Sequence, residues 1–150
     1  MAGFPLQVLL DHARHRLQAA ERLLRIHGRK EEAARQRLEE IRGYRREYQQ
    51  RMAGAGTRGM GIHMLREFQA FLLKLDQAIA HQETEVCHAH ARWLAAHEQW
   101  LAQRRQVKAY ETLAARHRRE ALRDEEKREQ RITDAAAAHL ARPYGRRPLD

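Results

Sequence analysis

Proline is confined to positions 5, 143 and 148, so the chain between Pro5 and Pro143 is free to stay helical without losing a backbone donor or clashing with a preceding turn. Cysteine occurs once, at Cys87, which excludes an internal disulfide and fits a reducing compartment. Aromatic residues are 6% of the chain, too few to build a conventional globular core. Long apolar runs are missing too. The stretch from Phe4 to Leu10 is too short for a signal sequence and has no basic region ahead of it, and no segment approaches membrane-spanning length. No G-x-x-x-x-G-K-[ST] motif occurs, so there is no phosphate-cradling loop with which to hydrolyse a nucleotide. These absences predict a cytosolic chain.

Ala, Glu, Leu, Arg and Gln dominate what remains, and charged residues make up 33%. A net charge of +9 calls for an acidic partner or surface. Most Arg and Lys, however, alternate with Glu, as in RQRLEE and RDEEKREQR, which reads as a solvated helix face. A clustered basic patch and a recognition module are both missing, so nucleic acid is not expected as a partner.

The 3-4 spacing of apolar residues is the strongest signal. It runs Leu10, Ala13, Leu17, Ala20, Leu24, His27, Glu31, Ala34, Leu38, Ile41, Arg45, Tyr48, Met52. After a glycine-rich stretch it resumes as Leu65, Phe68, Leu72, Leu75, Ile79, Gln82, Val86, Ala89, Trp93, Ala96, Trp100, Gln103, Val107, Tyr110, Ala114. A heptad seam this long predicts a coiled coil, and one short turn between helices predicts antiparallel folding back. The fold class is therefore all-α, a long two-helix antiparallel hairpin forming one coiled-coil domain over residues 1–150. Helix 1 is expected over about 5–52, the turn over about 53–61, helix 2 over about 62–140 and a disordered tail over 141–150. Met52 is expected near Ile62 and Leu10 near Arg104. His27, Glu31 and Arg45 interrupt the apolar seam, and with Gly28 they predict a weak point near residues 27–31. A second helix reaching Leu140 would be about 120 Å long, leaving its end beyond about Tyr110 without an intramolecular partner.

Several motifs have bland readings. Gly54, Gly56 and Gly59 match a dinucleotide-binding spacing, but that motif needs a preceding strand and a βαβ unit; a hairpin turn fits better. Glu83, Cys87 and His90 share a helix face, yet the further ligands a di-metal bundle needs are not in the sequence. No metal, cofactor or catalytic residue is assigned, and a two-helix hairpin lacks the pocket an enzyme needs.

An offset stripe near the turn is more informative. Tyr44 precedes Tyr48 by one helical turn, and Phe71, Leu75, Ala78 and Gln82 follow i, i+4, i+7, i+11 spacing. Either these side chains widen the core where the chain turns, or they form an exposed docking face.

The ordered combination Phe4-Pro5-Leu6-Gln7, Ile41-x-x-Tyr44-x-x-x-Tyr48, Phe68-Gln-x-Phe71-x-x-x-Leu75-x-x-Ala78-Ile79 and Trp100-Leu-x-x-Arg104-Arg-x-x-Lys108-x-Tyr110-x-x-Leu113 resembles the flagellar type III export protein FliJ family, from about Phe4 to Arg142. The resemblance implies a non-enzymatic stalk of the type III flagellar export ATPase complex. Its partners would be the export ATPase hexamer (FliI-like), whose ring assembly it would promote, the export gate membrane protein (FlhA-like) and export chaperones. It would lie in the cytoplasm, peripheral at the inner face of the cell membrane. The gate-facing residues would be Tyr44, Tyr48, Phe71, Leu75, Ala78 and Gln82. The ATPase-facing residues would be Leu113, Arg116, Arg119, Leu122 and Ile132. Two alternatives stay open: an injectisome-type secretion stalk protein, and a basic coiled-coil binder of nucleic acid or membrane surfaces.

Overall fold

The computed structural model describes residues 3–142. They form two helices, α1 (Gln7–Thr57) and α2 (Ile62–Ala141), with no strand among the described residues. The fold is the all-α hairpin that the heptad pattern predicts. The expected disordered tail lies, from residue 143 onward, outside the described residues; Ala141 closes α2. Among the described residues no helix is long and apolar enough to cross a membrane.

Helix α1 starts two residues beyond Pro5, where the Leu10 amide donates to the Leu6 carbonyl at 2.9 Å. At its other end it does not stop at Met52. It runs through Gly54 and Gly56 to Thr57, although each glycine costs roughly 1 kcal/mol relative to alanine. Met52 and Ala55 remain half-buried across this stretch, and the Thr57 hydroxyl donates to the Gly54 carbonyl at 2.7 Å. The helix then tightens: the Arg58 amide donates to Ala55 at 3.2 Å and the Gly59 amide to Gly56 at 3.4 Å. Gly59, at φ +84°, provides the left-handed residue that turns the chain without a Cβ penalty. The Leu65 amide donating to the Gly61 carbonyl at 3.1 Å opens α2.

The chain divides into two compact units, one of residues 1–13 with 105–150, the other of residues 14–104. In the larger unit the heptad positions form the seam, with Ala20, Leu38 and Ala89 buried and most of the larger side chains half-buried. The pairing differs from the expectation by one heptad. Arg45 meets Asp76, Glu31 meets His90, and Gly28 faces Trp93, which sets Met52 level with Gln69 rather than Ile62. The extra helical residues before the turn cause this shift. Because α1 continues past Met52, α2 must enter the pairing later in its own sequence.

In the smaller unit Leu10, Ala13, Val107 and Ala114 are buried, each 6% exposed or less. The Phe4 ring lies 5.7 Å from that of His117, which sets Leu10 level with Glu111, again one heptad from the expected Arg104. Half-burial of Tyr110 and burial of Ala114 show that α2 keeps a partner well past Tyr110, as far as His117. From Arg118 to Arg142 every residue is exposed.

Near residue 28, where the weak point is expected, α1 is continuous and Gly28 faces Trp93. A Cβ built on Gly28 would sit 3.7 Å from Cδ1 and Nε1 of the Trp93 indole, so a methyl group fits between α1 and this ring. That distance is ordinary van der Waals contact. Gly28→Ala should therefore raise stability by up to about 1 kcal/mol through helix propensity and a less flexible unfolded chain, whereas Gly28→Leu should lower it by roughly 1–3 kcal/mol by displacing the indole. Thermal unfolding followed by circular dichroism reads both signs.

Candidate protein-docking surfaces

Three of the polar residues that interrupt the seam, Glu31, Arg45 and Gln82, have partners across it. Glu31, 9% exposed, accepts from Arg35 Nη2 at 2.6 Å on its own helix and from His90 Nδ1 at 2.8 Å on α2. Arg45 Nε donates to Asp76 at 2.5 Å, and Arg42 Nη2 to Glu83 at 3.4 Å. Gln82, buried, donates from Nε2 to the Ala34 carbonyl at 3.0 Å. Such pairs add little stability where they are exposed. They do favour the observed pairing over one seven residues earlier in α2, which would set Glu31 against Glu83 and Arg45 against Gln69.

Near the turn, α1 and α2 bring aromatic side chains together. Tyr48 lies 4.4 Å from Phe71 and 4.9 Å from Phe68, ring centre to ring centre. Tyr44 and Phe71 stay exposed, at 64% and 43%. Together with Leu75 they line a groove of about 400 Å³, with Glu47 and Arg51 at its edge. Ala78 is half-buried beside it. Gln82 is turned into the seam, so it braces α1 and presents little surface. The offset stripe thus divides: Tyr44 and Phe71 face outward, Tyr48 and Leu75 form the floor, and Gln82 holds the two helices together.

In the smaller unit Leu113, Arg116, Arg119, Leu122 and Ile132 are all among the exposed residues of α2, with Leu122 at 58% and Ile132 at 63% exposure. Local bonds such as Gln130 Nε2 to Asp134 at 3.3 Å run along the helix. Glu83, Cys87 and His90 do not assemble as ligands: His90 is engaged with Glu31, Cys87 is exposed, and among the described residues no group of His, Cys, Asp or Glu is placed to hold a metal.

A third surface went unremarked in the sequence. In the larger unit, Arg16, Ala19 and Leu23 of α1 and Arg92, Ala95 and Gln99 of α2 line a groove of about 440 Å³. The signal was available in the i, i+3, i+7 spacing on both helices beside the seam. Only the register brings the two rows level.

The family model of the flagellar FliJ protein matches residues 1–146. Among solved structures, CT670 from Chlamydia trachomatis, described as a homolog of YscO, matches with a TM-score of 0.69 at 18% identity, over 93% of this chain and 95% of that one. That likeness is one of fold. None of the curated proteins matches the chain.

Proposed function

We propose, from the premise that this chain belongs to the flagellar FliJ family, that it is a non-enzymatic stalk of the type III flagellar export ATPase complex. The observation that carries the reading is the exposed run of α2 from Arg118 to Ala141 in a chain of this family. An isolated helix of that length with little apolar area is marginal in water, so its natural state is one in which something surrounds it. Leu113, Arg116, Arg119, Leu122 and Ile132, with both charge signs interspersed, suit the inner wall of an ATPase ring, and the ordering of this helix would favour ring assembly. The aromatic groove of Tyr44, Tyr48, Phe71 and Leu75, with Ala78 and Gln82 behind it, suits the export gate, since exposed aromatic side chains over a desolvated floor are the usual anchors of recognition. The same protein would escort export chaperones. It would act in the cytoplasm and reach the inner face of the membrane through the gate.

Adding the purified protein to the flagellar export ATPase of the same cell tests this. ATP hydrolysis should rise and the ATPase should shift toward hexamers in light scattering. No change in either, while the protein binds DNA or anionic vesicles in low salt, would favour the basic-surface binder instead.

A further inference from the structure

We infer that the groove between Arg16 and Arg92 in the larger unit is a docking site for an amphipathic α-helix of a partner protein, with a narrow apolar face and carboxylates on both flanks. The inference goes beyond the ATPase and gate contacts, because it uses neither the aromatic groove nor the exposed end of α2.

The shape comes first. The lining residues recur over about three turns of each helix, which gives a trough parallel to both axes. Its floor is Ala20 and Ala96, and its walls include Ala19 and Ala95. Small side chains on both sides let a third backbone come close, as in helix–helix packing at 8–10 Å. Leu23, 52% exposed, stands on one wall as an apolar contact that the hairpin leaves unused.

Charge selects the occupant. Arg16 and Arg92 sit on opposite walls, and neither makes an ion pair among the described residues. No Asp or Glu among the described residues lines the groove. A helix carrying Glu or Asp on each side of its apolar face would satisfy both guanidinium groups, whereas one carrying Lys would meet like charge on both walls.

An unmet polar group points the same way. Gln103, 8% exposed, lines the end of this groove, and its Oε1 is buried without a hydrogen-bond donor. Buried acceptors in this state are uncommon and cost about 1–3 kcal/mol. Rotation of the Gln103 side chain toward the groove would bring this acceptor to the surface, where a donor on the incoming helix, such as a Ser or Gln side chain, would supply the missing bond.

The test uses two blocked, fluorescent helical peptides of the same Ala/Leu face with one central Ser, one flanked by Glu and the other by Lys at the same positions. Fluorescence anisotropy with the full chain should show binding of the Glu peptide and at least ~10-fold weaker binding of the Lys peptide. Arg16→Glu with Arg92→Glu should reverse that preference, and Leu23→Asp should weaken both. All three positions are exposed, so helical content by circular dichroism should be unchanged in every variant. Binding of neither peptide, or a preference that survives the double charge reversal, overturns the inference. Self-association of the protein that Leu23→Asp abolishes would also overturn it, since the occupant would then be a second copy of this chain.

Discussion

Deleting residues 118–150 is expected to abolish stimulation of the export ATPase while leaving the hairpin folded. The seam in the smaller unit closes at the Phe4–His117 contact, and every described residue beyond it is exposed. Among the described residues the deletion therefore removes no buried side chain, and the melting temperature of the remainder should move by no more than a degree or two. What it removes is the helix proposed to enter the ring. Pairs of opposite charge four residues apart contribute about 0.2–0.5 kcal/mol each. That biases the segment toward helix without making it rigid, so its ordering is completed by the partner. Stimulation equal to that of the full chain would show that the exposed helix is not the ATPase-facing element.

Tyr44→Ala and Phe71→Ala should each weaken binding to the cytosolic part of the export gate by at least ~10-fold, as loss of an aromatic anchor does. Their costs in stability should differ. Tyr44 is 64% exposed, so its truncation should change unfolding free energy by about 0.5 kcal/mol or less. Phe71 packs against Tyr48 at 4.4 Å and is 43% exposed, so its truncation should cost roughly 1.5–2.5 kcal/mol, below the range for a fully buried aromatic. Isothermal titration with the gate fragment, alongside thermal unfolding, separates the two effects. Loss of stability in both variants with unchanged affinity would mean that the cluster only widens the core.

The heptad spacing made the seam legible: each predicted position in α1 from Leu10 to Met52 is buried or half-buried. The same spacing could not reveal the register. A slip of one heptad returns every apolar position to the seam, so Leu and Ala are nearly indifferent to it. Against the expected register, the choice falls to unlike pairs: Arg45 with Asp76 rather than Gln69, Glu31 with His90 rather than Glu83, and Gly28 with Trp93 rather than Val86. Read along one helix, these residues looked like interruptions, because each one's reason lies on the other helix. The turn was misjudged for a related cause. Gly54 and Gly56 are breakers by propensity, yet half-burial of Met52 and Ala55 carries α1 past them to Thr57. The aromatic cluster was visible as a stripe, but which of its members face outward depends on packing. The two rows that line the groove between Arg16 and Arg92 are legible on each helix, but only the register, which the spacing leaves open, sets them level.

The most direct test of the stalk reading is site-specific photo-cross-linking in living cells, with the photoreactive amino acid in place of Leu122 in one strain and Tyr44 in another. Both side chains are exposed, at 58% and 64%, so neither replacement disturbs the seam. The Leu122 position should capture the export ATPase, and the Tyr44 position should capture the gate. Capture of the gate from Leu122 and the ATPase from Tyr44, or of no export component from either, would contradict the account.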